Sequence, residues 1–211
     1  MDHNYGTIDI NKTHPYEIHV TVEGGDVVKF TEACVAANVK PILLDLHTGG
    51  GTFSDLQTSS IYKGDLWIAE AFRVTTVLEQ YGFKVIRRKV ETVPRILEKL
   101  DKLPHDKTNQ YLEAHIAVTT TRERLDELRD IAKHYKGHLS RNVFKRIDGG
   151  QIIMMITIRD SIHDYPGFVW LKEKLEAELQ LHNFFVSKSI NEVCIHDTNR
   201  AHDDAWMEGN K

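Results

Sequence analysis

Glu17-Ile18-His19-Val20-Thr21-Val22 and Glu113-Ala114-His115-Ile116-Ala117-Val118 are two readings of one pattern, Glu-x-His-aliphatic-x-Val, set 96 residues apart. Each segment alternates as a β-strand, and each opens the same order of elements. In the first unit, strand Tyr16 to Val22 leads to an amphipathic helix over Asp26 to Val39, with Val27, Phe30, Cys34 and Val35 on one face. Two strands, Pro41 to His47 and Ser54 to Tyr62, flank the flexible turn Thr48-Gly49-Gly50-Gly51. A helix over Asp65 to Tyr81 ends at Gly82, and Phe83 to Glu91 closes the unit.

The second unit repeats this order. After the strand Tyr111 to Val118, Thr121 caps a helix running to Tyr135. A hairpin, Gly137 to Ile147 with Gln151 to Arg159, turns at Asp148-Gly149-Gly150. A helix over Phe168 to His182, preceded by Pro166-Gly167, then leads to the strand Phe184 to Ile195. The expected fold is therefore α+β: duplicated ferredoxin-like βαββαβ units over residues 14–92 and 111–197, packed as an intramolecular pseudo-dimer. A charged linker over 93–110 joins them, and 198–211 forms a polar tail with Asp203, Asp204 and Trp206.

Alternation also assigns the faces. Ile18, Val20 and Val22 are expected to face the helices of the first unit, as are Ala114, Ile116 and Val118 in the second. Ile42, Leu44 and Leu46 are placed on the helix side too, with Asp45 and His47 pointing away. Two open faces packed together would make a cleft lined by Glu17, His19, Glu113 and His115, within reach of Ser59, Arg87 or Arg88, and Arg141. The bland alternative is a polar sheet face that is merely solvated.

Composition sets the outer limits. The 211 residues, 41% hydrophobic and 27% charged, are those of an ordinary globular chain. The formal charge of −4 argues against extended duplex nucleic acid as a partner, since such binding neutralises many phosphates. Met1 to Lys12 lacks the basic-then-apolar order of a signal peptide, and no apolar run approaches the roughly 18 residues of a membrane span, so a cytoplasmic protein without membrane contact is expected. Cys34 and Cys194 form no CxxC pair, which excludes a disulfide framework or a zinc knot.

His19-Val20-Thr21-Val22 resembles the His-x-Thr signature of the two-histidine phosphoesterases, a bilobal superfamily that commonly opens 2′,3′-cyclic phosphates or related phosphodiesters without metal. The α-β-β-α order between the two histidine strands is similar as well. The resemblance implies a metal-independent phosphodiesterase with His19 and His115 as acid and base and Thr21 as a phosphate-binding hydroxyl. A nucleotide or short RNA end would be the substrate and no cofactor would be needed. Glu17 and Glu113 would orient the rings, while Arg87 or Arg141 would steady phosphate charge. The second motif, His115-Ile116-Ala117, lacks the family's hydroxyl.

Two other chemistries use the same residues. Glu17, His19, Asp45, His47, Glu113 and His115 are donors suited to a divalent metal, in a hydrolase or an oxygenase-like site. A non-catalytic nucleotide-binding or regulatory module could instead cradle phosphate through Thr58-Ser59-Ser60 ahead of the next helix. Gly49-Gly50-Gly51 lacks the Lys-Ser/Thr of a P-loop. Tyr111-x-Glu113-x-His115, Ser140-Arg141-Asn142 and Asp197-x-Asn199 with Trp206 together resemble an uncharacterised family of bacterial and plant proteins, a likeness that carries no activity.

Overall fold

The computed structural model of the chain describes residues 15–48, 51–64, 66–97, 110–145, 147 and 149–203. Gly49-Gly50, Asp65, Asp148, most of the linker, Asp204, Trp206 and Met1 to Lys12 lie outside these residues. The chain runs β1 (Pro15–Val22), α1 (Val27–Ala37), β2 (Lys40–Thr48), β3 (Gly51–Lys63), α2 (Trp67–Gln80) and β4 (Val85–Thr92). It then runs β5 (Tyr111–Thr121), α3 (Leu125–His134), β6 (His138–Asn142), β7 (Gln151–Ser161), α4 (Tyr165–Leu181) and β8 (Phe185–Asp197). No helix among the described residues is long and apolar enough to cross a membrane.

The strands close into one barrel in the order β1-β3-β2-β6-β7-β5-β8-β4, every neighbour antiparallel. This corrects the expectation of two sheets packed face to face as a pseudo-dimer of α+β units. Each half does order its strands β2-β3-β1-β4 or β6-β7-β5-β8, but the halves meet edge to edge. Leu44 pairs with Asn142 and His47 with Leu139 at one seam, and Lys89 with Asp197 at the other. The physical reason is the strand edge. Face-to-face packing would leave four edge strands with unpaired backbone groups, whereas closure pairs them along part of each seam, Leu44–His47 of β2 with β6 and Lys89–Thr92 of β4 with β8.

The helices cover the outside. Ile18, Val20 and Val22 share a buried core with Phe30 and Cys34 of α1 and Val74 and Leu78 of α2. Ala114, Ile116 and Val118 lie in the same core with Leu128 and Ala132 of α3 and Leu175 and Leu179 of α4. Local signals set the helix ends. Asp26 caps α1 by accepting from the Lys29 amide at 2.9 Å, and Asp164 caps α4 by accepting from Gly167 at 3.0 Å. The helix therefore starts at Tyr165, three residues earlier than the Phe168 start expected, and Pro166 stands in its first turn, where its missing N–H costs nothing. Gly82, at φ +82°, ends α2 by turning the chain into β4.

Candidate functional site

Closing the barrel turns one strand parity inward and encloses a cavity of about 290 Å³. Glu17 and His19 of β1, Lys89 and Glu91 of β4, Glu113 and His115 of β5 and Glu192 of β8 form its charged floor. Ile42 and Leu44 of β2, Ile153 and Met155 of β7 and Ile190 of β8 form an aliphatic wall. The floor repeats with the fold: Glu17 lies opposite Glu91 in the β1–β4 register, as Glu113 lies opposite Glu192 in β5–β8.

The two imidazoles converge on one carboxylate. His19 Nε2 lies 3.3 Å from Glu91 Oε2, and His115 Nε2 lies 3.9 Å from Glu91 Oε1. His115 Nε2 is also 3.4 Å from Glu192 and 3.6 Å from Glu113. Each ring is steadied through Nδ1, His19 at the Thr58 carbonyl (2.9 Å) and His115 at Thr157 Oγ1 (3.1 Å). Lys89 Nζ bridges Glu91 (2.9 Å) and Glu113. Ser59 donates to Glu17 Oε1 at 2.7 Å.

Charge in this closed space shifts the protonation of its members. Burial opposes the charged form of His115, but Glu91, Glu113 and Glu192 outweigh it and raise the ring to about 9. His19 is raised as well, burial again being outweighed by Glu91 and Glu17. Burial and the neighbouring Glu91 push Glu192 up to about 7, although His115 pulls the other way. Glu91 is held well below the carboxylate range: burial would raise it, but Lys89, Glu113 and the two rings prevail.

These shifts fix the sign of the pH dependence of stability. From the ordinary carboxyl value of 4.5 up to about 7, folded Glu192 keeps a proton that the unfolded chain releases. The contribution of His115 is complete below 6.5 and is lost as pH rises through about 9. The thermal midpoint should therefore fall between about pH 6.5 and about pH 9.5, above the range in which His47 and His196, both lowered by burial, oppose the trend. Glu192→Gln should flatten the lower part of that fall. Calorimetry showing a level midpoint across this range would refute the assignments.

The two ends of the barrel differ. At the end where β5 begins and β8 finishes, the chain turns back through a short 3₁₀ segment, Arg200–Asp203, and inserts Asp203. Arg87 donates to Asp203 at 2.7 and 2.8 Å and to Asp197 at 2.9 and 2.6 Å, while Arg159 joins Asp203 (2.7 Å) to Glu113 (2.7 Å). The Tyr111 hydroxyl donates to Asp197 at 2.7 Å, and His202 pairs with Asp55 at 2.7 Å. Burial would raise both aspartates, but the arginines hold them below their ordinary range. The opposite end carries exposed Lys40, Lys145 and Lys188.

Glu17, His19, Glu113 and His115 all line the cavity, and the other expected site residues divide. Asp45 and His47 do not face the site: β2 has the reverse parity, so Ile42, Leu44 and Leu46 line the cavity while Leu43 packs toward the helix core. Arg141 also lies outside, paired with Asp45 at 2.7 Å across the β2–β6 seam, and its neighbours Ser140 and Asn142 turn inward instead. Thr21 is buried but does not line the cavity; a register shift follows it. Ser59 and Arg87 do line it, Arg87 as part of the plug. Lys89, Glu91, Arg159 and Glu192 were missed. The alternation Lys89-Val90-Glu91 was a signal, but its partners appear only with the cross-strand register.

No family model and no curated protein matches the chain. Among solved structures, one described as a glycine cleavage system transcriptional repressor is similar at 15% identity and TM-score 0.31, covering 87% of this chain and 98% of that one. The regulatory subunit of aspartate kinase from Thermus thermophilus gives 11% identity and TM-score 0.29, with 69% and 82% covered. A structure described as a chlorite dismutase gives 12% and 0.30, with 87% and 94% covered. Likenesses this distant carry no conclusion about activity.

Proposed function

We propose that the barrel interior is a metal-independent acid–base site acting on one small substrate, with Glu192 as base and protonated His115 as acid. The observation that carries this reading is their contact at 3.4 Å inside a cavity, with His115 raised to about 9 and Glu192 to about 7. Between those values the carboxyl is ionised and the imidazole protonated, the state a base and an acid need. His19, raised as well, serves as a second fixed cation beside Glu91. A cavity of about 290 Å³ sits at the small end of ligand pockets, so a single small molecule or one chain end fits. Phosphodiester hydrolysis would bring a phosphate anion against Glu91, Glu113 and Glu192, so the 2′,3′-cyclic nucleotide that the His-x-Thr resemblance implies serves as the comparison substrate, and a molecule reacting at an uncharged group is the first to try. Turnover should persist in EDTA and fall by at least about 10² in Glu192→Gln. Turnover unaffected by Glu192→Gln would overturn the roles.

A metal reading has one specific observation in its favour. Ligand atoms of Glu91, Glu113 and His115 lie within 4.8 Å of one another, a donor set that suits manganese, iron or zinc. The Lys89 ammonium already bridges the two carboxylates, so a dication would have to displace it. If the metal reading holds, calorimetric titration with Mn²⁺ or Zn²⁺ should give one equivalent bound, more tightly in Lys89→Met. No binding to either protein would sink it.

A further inference from the structure

We propose that the ligand of this cavity is a small amphipathic anion, one phosphate or carboxylate group on an apolar body, whose charged group rests on Lys40, Lys145 and Lys188 while the body reaches inward. The inference deepens the acid–base reading by naming what enters the cavity, and its test does not depend on turnover.

The first ground is which cations are free. Arg87, Lys89 and Arg159 inside the barrel are each tied to carboxylates. Lys40, Lys145 and Lys188 line the same cavity, are exposed, and pair with no other described residue. They stand at one end by topology. Lys40 begins β2, Lys145 follows the end of the antiparallel neighbour β6, and Lys188 lies near the start of β8, which runs parallel to β2. The opposite end is stoppered by Asp203 between two arginines, so among the described residues the unpaired cations lining the cavity stand at the lysine end.

The second ground is the wall. Ile42, Leu44, Ile153, Met155 and Ile190 face the cavity and are only partly buried, so apolar surface stays open inside the barrel. An apolar ligand body would remove that surface from water, and Met155 can adapt to its shape. The wall also leads to the acid–base pair, because Ile190 sits directly opposite His115 in the β5–β8 register. A ligand lying from the lysines along this wall would bring its uncharged end to Glu192 and His115. The carboxylates gathered at the floor disfavour the reverse orientation, which would put the anion against them.

Isothermal titration of the full chain with octyl phosphate and octanoate reads this out directly. Both should bind, octylamine and inorganic phosphate should not, and raising salt should weaken the affinity. The triple variant Lys40→Ala, Lys145→Ala, Lys188→Ala should lose at least about tenfold, a loss three exposed charge contacts can supply. Leu44→Gln should weaken octyl phosphate with the circular dichroism unchanged. Binding of these probes is read without turnover, so that a failed acid–base role and a failed ligand assignment give different results. The proposal is overturned if neither probe binds at about 1 mM, if the triple variant stays within about twofold of wild type, or if inorganic phosphate binds as tightly as octyl phosphate.

Discussion

His115→Ala and Glu192→Gln are each expected to lower turnover by at least about 10², the low end for losing a positioned acid or base. Each removes one half of a proton-exchanging pair 3.4 Å apart, and neither group belongs to the helix-facing core. The rate should be bell-shaped in pH. Below about 7 Glu192 gains a proton and the base is lost; above about 9 His115 gives up its proton and the acid is lost. The two flanks belong to the pair, so Glu192→Gln should erase the acid flank and also move the alkaline one. His19→Ala should leave both flanks in place, because its ring meets Glu91 and the Thr58 carbonyl and does not touch Glu192. Thr21→Ala should change the rate little, since Thr21 does not line the cavity. An unchanged profile in Glu192→Gln would move the base elsewhere.

Arg87→Ala should destabilise the fold by about 3–5 kcal/mol, the cost of removing one partner from a buried ion pair. Arg87, Asp197 and Asp203 are all buried, and the guanidinium makes four of its hydrogen bonds to the two carboxylates. Burial alone would disfavour the charged guanidinium, but the aspartates hold it firmly protonated. Without it Asp197 keeps the Tyr111 hydroxyl and the Asn199 amide, and Asp203 keeps Arg159, so neither is fully compensated. Arg87→Met combined with Asp197→Asn should recover part of the loss, because the second change removes the charge the first one strands. Urea unfolding checks both variants. A loss under about 1 kcal/mol for Arg87→Ala would mean that the plug contributes little to holding the barrel shut.

The order of elements and the inward Glu-x-His pairs were legible because alternation along β1 and β5 is clean: Ile18, Val20 and Val22 against Glu17 and His19 leaves little choice of face. β2 offered no such contrast. Leu43 interrupts Ile42, Leu44 and Leu46, so either parity could have packed against the helices, and the rule that aliphatic means helix-facing chose the wrong one. That rule presumes a sheet with one apolar face, and it fails where the inside of a barrel is apolar along one wall. The closure itself was invisible for a different reason. Edge pairing between β2 and β6 or β4 and β8 is written in backbone groups common to all residues, and periodicity carries no trace of it. Glu91 and Glu192 became meaningful only once β4 and β8 were set against β1 and β5.

The seams also govern how the chain can reach this state. Arg141 meets Asp45 across 96 residues of sequence, and Arg87 meets Asp197 across 110. Pairings so remote require most of the chain to be ordered before they return any free energy, which places folding toward the slow end for domains of this size. A half that formed first would wait with two long, unpaired edges, the geometry most prone to add a strand from a neighbouring molecule. The charged side chains beside those edges, Asp45, Arg141 and Lys89, then act before the native state exists. A bare edge carrying an unmatched charge is a poor template for a copy of itself, and it becomes a good one only for the complementary edge of the same chain.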